Sequence, residues 1–335
     1  MKIVYFDVET YEEEFLKEKN QGNNYILVKE PLNDLEPIKS EYTDADIISV
    51  FTTSRVNKNV LKQFKNLKLI TLRSVGFNHV DIEYCKEHNI IVENSPGYGN
   101  QSVAEFALAL LMNVTRKVTT SYSEYKNARI SAASLMGEEL CGKNMGIVGL
   151  GKIGSAFAKI AYGLGMNILG YDKYENEDLK KNYNVQYVDF DTLLKDSDFI
   201  SIHAPMSKEN YHMFNSESFE KMKNTAILIN TGRGELIDTA ALFNALVSNK
   251  IAGAGLDVLE NEQTMTDFDY MIGLNRLDKL TLEQTVINSK MFQLDNVILT
   301  PHIAYNTKEA IERILKTTMS NMEAFMQNKI QNTVY

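Results

Sequence analysis

The stretch that decides the fold is Asn144–Asp172, which reads NMGIVGLGKIGSAFAKIAYGLGMNILGYD. Its first apolar run, Met145–Val148, has the composition of a buried strand, and Lys152–Leu164 repeats apolar residues at helical spacing. The closing segment, ILGYD, has the pattern of a second strand. This order of strand, glycine turn, helix and strand predicts a βαβ unit of a parallel sheet.

The turn of this unit carries three glycines, Gly149, Gly151 and Gly154, in the pattern G-x-G-x-x-G. In such a turn the first glycine permits a sharp bend, the second lets the backbone approach a pyrophosphate, and the third lets helix and strand pack closely. The N–H groups at the start of the helix, around Lys152 and Ile153, would face the phosphates. The pattern alone also marks turns in many folds, but with a strand before it and a helix after it, it predicts a dinucleotide site.

An acidic residue closes the unit. Asp172 lies 18 residues after Gly154, at the end of the second strand. A carboxylate there can accept hydrogen bonds from the adenosine ribose hydroxyls and would repel a 2′-phosphate. The sequence therefore favours NAD over NADP.

The composition is that of a globular protein large enough for two domains. The chain has 335 residues, of which 44% are hydrophobic and 24% charged. Its net charge of −9 argues against a nucleic-acid or anionic-membrane partner, although a local basic pocket for a small anion stays possible.

Cysteine usage and the N-terminus favour a cytoplasmic location. Cys85 and Cys141 form neither a disulfide framework nor a metal-binding pattern, and no metal is assigned. The N-terminus lacks the pattern of a secretory signal. The most apolar helical segment, Val103–Val114, is too short to span a membrane and is interpreted as core.

The first part of the chain, to about Gly97, alternates strand-like runs with helical or polar connections. The runs are KIVYFDV, YILVKE, DIISVF, KLITLRSVG and IIVENSPG. This alternation predicts a parallel sheet covered by helices. The next segment, Asn100–Lys126, has helical periodicity and is predicted to be one long helix.

The second part continues the alternation with VQYVD, DFISIHA, TAILINTG, IAGAGLDV and NVILTPH. With the two strands of the glycine unit, these predict a doubly wound sheet of seven strands. Between Glu262 and Leu294 a polar segment interrupts the pattern and is interpreted as a surface insertion with a helix near Leu280–Lys290. The last helix, Lys308–Gln327, has no strand after it and is predicted to pack on the N-terminal domain.

Three residues just past strand ends are candidates for catalysis: Arg233, Glu262 and His302. Ligands of open α/β sheets bind outside the carboxyl ends of the strands, so residues from three strands can converge there. An arginine can grip a carboxylate bidentately and polarise a carbonyl. A histidine can supply a proton near neutral pH, and a neighbouring glutamate would hold its tautomer and raise its pKa.

Each of the three also has an ordinary structural interpretation. Arg233 could pair with surface carboxylates, although its flanking glycines suggest a close backbone approach. Glu262 lies in the acidic run LENE and by itself resembles a solvated residue, and His302 could be a satisfied core histidine. Their shared location at strand ends favours a site.

A further candidate is the turn in LRSVGFNHVD, where a strand ends and a helix is predicted to begin near His79. The backbone N–H groups of Val75 and Gly76 at such a turn would suit a small carboxylate.

The sequence as a whole resembles the D-isomer-specific 2-hydroxyacid dehydrogenases. The matching blocks, in the order of the family, are RSVGFNHVD, SVAEFALALL, GIVGLGKIG with its downstream YD, HAPMSKEN, LINTGRGELID, AGLDVLENE and LTPHIA. Among family members, RSVGFNHVD and LINTGRGELID look most like the D-lactate dehydrogenase branch.

The resemblance implies roles for particular residues. The catalytic trio of the family maps onto Arg233, Glu262 and His302, and its carboxylate-binding turn onto Val75 and Gly76. The residues that match the nicotinamide-lining positions are His203, Ala204, Pro205, Thr231, Gly232 and Asp257.

The resemblance also implies an architecture. We expect two Rossmann-like, doubly wound α/β domains with the active site in the cleft between them: a substrate domain of residues 1–99 plus 304–335 and an NAD domain of residues 100–303. Family members are typically homodimers built through the nucleotide domains, and the arm Ala128–Lys143 is the expected contact.

The expected reaction is NADH-dependent reduction of pyruvate to D-lactate. Many D-lactate enzymes carry an aromatic residue where this chain has Asn94, with Tyr98 following as the candidate substrate contact. The alternatives are a hydroxypyruvate or glycerate enzyme and a reductase of branched or aromatic 2-oxo acids. A different class, an NAD-sensing corepressor-like binding protein, shares the fold and retains the trio.

Overall fold

The computed structural model describes residues 1–128, 135–262 and 279–335. The chain divides into two compact units, one made of Met1–Tyr98 with Asn306–Tyr335 and the other of Gly99–Tyr305. The expected arm and insertion fall partly outside the described residues, at 129–134 and 263–278. Within the described ranges, no helix is long and apolar enough to cross a membrane.

The first unit is built on a five-stranded parallel sheet in the order β2-β1-β3-β4-β5. Its strands are β1 (Lys2–Tyr5), β2 (Asn24–Leu27), β3 (Ile47–Val50), β4 (Leu69–Leu72) and β5 (Ile91–Glu93). The helices of this unit are α1 (Thr10–Lys19), α2 (Lys58–Leu61), α3 (Ile82–Glu87) and α12 (Lys308–Met326). All five predicted strands are therefore confirmed.

The second unit is built on a seven-stranded parallel sheet in the order β12-β11-β10-β9-β6-β7-β8. Its strands are β6 (Asn144–Val148), β7 (Asn167–Tyr171), β8 (Gln186–Tyr187), β9 (Phe199–Ile202), β10 (Ile227–Asn230), β11 (Gly253–Leu256) and β12 (Val297–Leu299). The helices of this unit are α4 (Asn100–Arg116), α5 (Val118–Lys126), α6 (Lys152–Gly163), α7 (Glu177–Tyr183), α8 (Phe190–Asp196), α9 (Ser216–Lys221), α10 (Thr239–Val247) and α11 (Lys279–Met291). The predicted doubly wound sheet of seven strands is confirmed, and its strand order reverses between β6 and β9.

The prediction of one long helix over 100–126 is wrong. The helix ends at Arg116, Lys117 adopts a left-handed conformation with φ 51°, and α5 begins at Val118. The side chain of Asn113 accepts the N–H of Thr119 at 2.9 Å, which replaces the bond that a continuous helix would make. Apolar periodicity carries no signal for such a local side-chain bond.

The start of α3 also differs from the prediction. The helix begins at Ile82 and not near His79, because the carboxylate of Asp81 caps it by accepting the N–H of Tyr84 at 3.0 Å.

Each sheet is buried on both faces, as parallel sheets are. In β10, Ile227 and Ile229 belong to one apolar cluster and Leu228 to another. Helix α12 packs within the first unit, where the hydroxyl of Tyr5 lies 3.2 Å from the sulfur of Met322. Both units therefore carry their functional loops on well-buried strands.

Candidate active site

The glycine turn after β6 is shaped by close backbone contacts. Gly149 has φ +87°, and a Cβ there would lie 2.6 Å from the backbone nitrogen of Ala204. A Cβ on Gly154 would lie 1.9 Å from the carbonyl oxygen of Gly149, so α6 packs directly on the turn. Gly151 differs, because nothing in the described chain lies within 4 Å of its ideal Cβ. The second glycine thus leaves open space in front of α6.

This open space fits a pyrophosphate. The first N–H groups of α6, including those of Lys152 and Ile153, have no partner within the helix and carry the positive end of its dipole. At the end of β7 the carboxylate of Asp172 is fixed by the N–H of Leu150 at 2.5 Å and that of Tyr174 at 3.0 Å. These residues fit the phosphates and the adenosine ribose of a dinucleotide.

The loop after β9 crosses beside the glycine turn and carries His203, Ala204 and Pro205. The His203 ring nitrogens lie 2.9 Å from the hydroxyl of Ser201 and 3.4 Å from that of Thr231. Burial lowers the pKa of His203 to about 3, so its imidazole is neutral. A neutral, hydrogen-bonded ring suits the wall of a nicotinamide pocket better than proton transfer.

The three candidate catalytic residues follow three neighbouring strands. Arg233, Glu262 and His302 come after β10, β11 and β12, which pair in that order. A Cβ on Gly234 would lie 2.1 Å from the carbonyl carbon of Leu259, so the loop of Arg233 packs tightly against the loop of Glu262. Glycine is required there for close approach, as its position beside Arg233 predicted.

Glu262 and His302 are in direct contact. The Nδ1 atom of His302 lies 2.6 Å from Oε1 of Glu262, and Oε2 of Glu262 accepts the N–H of Leu259 at 3.1 Å. Burial and the charge of Arg233 lower the pKa of His302, whereas the hydrogen bond and charge of Glu262 and the charge of Asp257 raise it. The net effect is a pKa above the ordinary value for histidine. The ring keeps 45% of its side-chain surface exposed, so a substrate can reach it.

Asp257 holds the turn that presents His302. Its buried carboxylate accepts hydrogen bonds from the hydroxyl of Thr300 at 2.5 Å and from the N–H groups of Ile303 and Ala304 at 2.9 and 2.8 Å. His302 itself has φ +53°, a conformation that costs energy for a residue with a side chain. The hydrogen bonds of Asp257 therefore flank His302 on both sides, at Thr300 and at Ile303 and Ala304.

Arg233 is held through its backbone. The side chain of Asn230, which is fully buried, donates to the carbonyl of Arg233 at 2.9 Å and accepts the N–H of Gly232 at 3.0 Å. The guanidinium group donates to the Gly232 carbonyl at 2.8 Å. The charge of Arg233 lowers the pKa of His302, so the guanidinium and the imidazole are near enough to interact electrostatically.

The first unit carries the predicted carboxylate-binding turn. The carbonyl of Val75 accepts the Asn94 side-chain amide at 2.8 Å, and the carbonyl of Gly76 accepts the Ser74 hydroxyl at 2.7 Å. Within the described part of the chain, no acceptor takes the N–H of Val75 or of Gly76. Two adjacent free donors are what a small carboxylate needs. Tyr98 is half-buried in the same unit, and its carbonyl accepts the Nε of Arg313 at 2.8 Å.

Sequence reasoning missed two groups of residues. The strand pattern gives no separate role to Asn230, although an asparagine at a strand end before T-G-R-G signals a side chain available to the following loop. The acidic run LENE gives no sign of the partners of Glu260, but in the structure its carboxylate accepts the hydroxyl of Tyr211 and lies 2.9 Å from Nε2 of His212.

Comparison with known proteins decides the family. A model described as D-isomer specific 2-hydroxyacid dehydrogenase, NAD binding domain, matches residues 108–304. The chain belongs to the D-isomer specific 2-hydroxyacid dehydrogenases. It is an NAD-dependent oxidoreductase of the class that acts on the CH–OH group of its substrates.

Its relatives differ in the acid that their names give. The chain is 38% identical over 294 residues to glyoxylate reductase of Thermococcus litoralis, covering 86% of this chain and 82% of that protein. It is 33% identical over 324 residues to D-lactate dehydrogenase of Escherichia coli, covering 96% of each. The solved structure of D-lactate dehydrogenase from Aquifex aeolicus, complexed with NAD and lactic acid, aligns with a TM-score of 0.85, 34% identity, and coverage of 99% and 98%.

Proposed function

We propose that the chain reduces pyruvate to D-lactate with NADH, reversibly. The observation that carries this proposal is the His302–Glu262 pair, 2.6 Å apart on neighbouring strands, because it keeps a proton on an exposed imidazole. The choice of acid rests on the two D-lactate dehydrogenases, which align over 96% and 99% of the chain, whereas the glyoxylate reductase aligns over 86%.

The substrate carboxylate binds to free donors in this proposal. In the first unit, the N–H groups of Val75 and Gly76 are the proposed donors to the carboxylate. In the second unit, the guanidinium of Arg233 is the proposed clamp for a carboxylate and polarises the adjacent ketone. Arg233 can do this because its backbone is fixed by Asn230 and its fork is planar. Bound NADH supplies the hydride that reaches the ketone carbon.

His302 supplies the proton. Its Nδ1–H is directed to Glu262, which leaves Nε2 to carry the proton that the substrate oxygen takes as the ketone becomes an alcohol. Glu262 keeps the imidazole charged until that transfer, and Asp257 keeps the ring in position. In the reverse direction, neutral His302 accepts the proton from the hydroxyl.

A second candidate substrate is a smaller or hydroxylated 2-oxo acid, glyoxylate or hydroxypyruvate. The observation that favours it is Asn94, a polar side chain 2.8 Å from the Val75 carbonyl, where an aromatic residue would make an apolar wall. The identity to the glyoxylate reductase points the same way.

The remaining proposals concern organisation. We assign substrate binding to residues 1–99 plus 304–335 and cofactor binding to 100–303, in a cytoplasmic homodimer. Support for the dimer comes from α5, which buries no residue and leaves Tyr122 and Tyr125 63% and 73% exposed. Met136 is 77% exposed as well. Apolar exposure of this extent favours a second copy as the partner.

A panel of 2-oxo acids tests the proposal. The purified protein is assayed with NADH and with NADPH against pyruvate, glyoxylate, hydroxypyruvate, 2-oxoisocaproate and phenylpyruvate, and the product is resolved on a chiral column. We expect the highest kcat/KM with pyruvate and NADH, and D-lactate as the product. A higher kcat/KM with hydroxypyruvate or glyoxylate would favour the second candidate, and no turnover of any acid would refute both.

A further inference from the structure

Glu260, two residues before Glu262, is the centre of a hydrogen-bond network that the proposed chemistry does not use. Its carboxylate accepts the hydroxyl of Tyr211 at 3.0 Å, lies 2.9 Å from Nε2 of His212, and accepts the hydroxyl of Thr239 at 3.4 Å. The Glu260 side chain is only 12% exposed. Three partners on a nearly buried carboxylate fix its place firmly.

The backbone around Glu260 is held as well. The side-chain amide of Asn288, a fully buried residue of α11, donates to the Glu260 carbonyl at 3.1 Å. A Cβ on Gly234 would lie 2.3 Å from the Glu260 nitrogen, so the loop of Arg233 packs against this backbone. Glu260 thus joins the loop before α9, the start of α10, α11 and the loop after β10.

The catalytic side chain is carried by the same short turn. The N–H of Glu262 donates to the carbonyl of Leu259 at 3.3 Å, and its Oε2 accepts the N–H of Leu259 at 3.1 Å, so both bonds return to Leu259. Glu260 lies between these two residues. Fixing Glu260 therefore fixes the direction in which Glu262 points.

We propose that Glu260 is a positioning residue that holds the turn 259–262 so that Glu262 stays within hydrogen-bond distance of His302. The charged and titratable groups around His302 are Glu262, Asp257 and Arg233, and none of them belongs to the network of Glu260. The charges of Asp238 and Glu235 act, with that of Glu260, on Tyr211. Glu260 therefore affects His302 indirectly, by fixing the position of the Glu262 carboxylate.

The inference rests on the proposed function, so its test uses a readout that needs no turnover. The pKa of His302 is measured by NMR titration of protein with ring-labelled histidine, and its signal among the five histidines is assigned by its loss in His302→Asn. Glu262 raises the pKa of His302 above the ordinary value for histidine. In Glu260→Ala we expect this pKa to fall toward or below that ordinary value, as in Glu262→Ala, because the carboxylate of Glu262 is released.

Conservative variants separate positioning from folding. Glu260→Gln keeps an oxygen that can accept the Tyr211 hydroxyl, so the pKa of His302 in this variant should lie close to the wild-type value. Tyr211→Phe should lower the pKa of His302 by less than Glu260→Ala does, and this variant supplies the test if Glu260→Ala does not fold. Glu217→Ala, at an exposed site on α9, is the matched control and should change nothing.

Kinetics supply the second arm. In Glu260→Ala, kcat should fall about ten- to a hundredfold, the effect of a small misplacement of a catalytic group, while NADH affinity changes less than about twofold. An unchanged pKa of His302 in folded Glu260→Ala and in Tyr211→Phe would overturn the inference. If the pKa falls but no 2-oxo acid is turned over by the wild type, the proposed function fails and the positioning role stands.

Discussion

Glu93, at the end of β5, allows the effect of a buried carboxyl group on the stability of the first unit to be tested. Its side chain is fully buried; Oε1 accepts the N–H of Gln331 at 3.0 Å, while Oε2 has no hydrogen-bond partner in the described part of the chain. Burial, opposed only in part by the Gln331 hydrogen bond, raises the pKa of Glu93 from 4.5 to about 7. The folded state therefore prefers the neutral acid.

The sign of the pH effect follows from this preference. An acid whose pKa is raised on folding makes the protein less stable as pH rises through the interval between the unfolded and folded pKa values. Between pH 5 and pH 8, ionisation of Glu93 should lower the free energy of unfolding by about 2 to 3 kcal/mol. Glu93→Gln keeps an acceptor for Gln331 and removes this penalty.

The assay is thermal or urea unfolding of wild type and Glu93→Gln at pH 5 and at pH 8. The difference between the two proteins should grow by about 2 to 3 kcal/mol in favour of the variant, equivalent to roughly 5 to 10 °C in Tm. Comparing two pH values cancels the constant effect of replacing an acid by an amide. Glu87→Gln, an exposed glutamate of the same unit, should show no such growth. A difference between Glu93→Gln and wild type that is the same at both pH values would refute the reasoning.

Three further predictions concern the second unit. The methyl group of Gly151→Ala meets no atom of the residues that the structure describes, so Tm should be unchanged, as in the control Gly163→Ala. NADH affinity measured by fluorescence should fall at least tenfold, because the methyl group enters the pyrophosphate space, and unchanged affinity would place the cofactor elsewhere. Asp172→Asn keeps a hydrogen-bond acceptor but loses the charge that repels a 2′-phosphate. The kcat/KM with NADPH divided by the kcat/KM with NADH should therefore rise about tenfold or more. A constant ratio would show that Asp172 does not select the cofactor. Arg233→Lys keeps the charge but loses the planar guanidinium fork. The transition-state stabilisation that kcat/KM for pyruvate measures should therefore fall by about 2 to 4 kcal/mol, and wild-type kinetics would contradict the carboxylate clamp.

Much of the fold could be predicted because its signals are local. Most strands of the two sheets are short apolar runs. The glycine unit combines a strand, a turn and a helix whose roles depend on residues within one stretch, Asn144–Asp172. Even the convergence of Arg233, Glu262 and His302 follows from a general rule, since each comes after a parallel strand.

The features that escaped prediction depend on contacts between distant residues or on single side-chain bonds. The break at Lys117 is accompanied by hydrogen bonds between Asn113 and Thr119, and apolar periodicity runs through it unchanged. The network of Glu260 joins residues from Tyr211 to Asn288, and a glutamate in an acidic run gives no sign of such partners. These contacts depend on how distant segments pack together, and the local pattern of the sequence does not reveal that packing.

The central claim is that His302, held by Glu262, gives the proton that completes hydride transfer to a 2-oxo acid. The most direct measurement is single-turnover reduction of pyruvate by saturating enzyme and NADH, in wild type and in His302→Asn, across pH. We predict that the wild-type rate falls as pH rises through a pKa above 6.5, that His302→Asn is about 10² to 10⁴ slower, and that NADH binds both equally. A His302→Asn enzyme that turns over at the wild-type rate with the same pH profile would contradict the account.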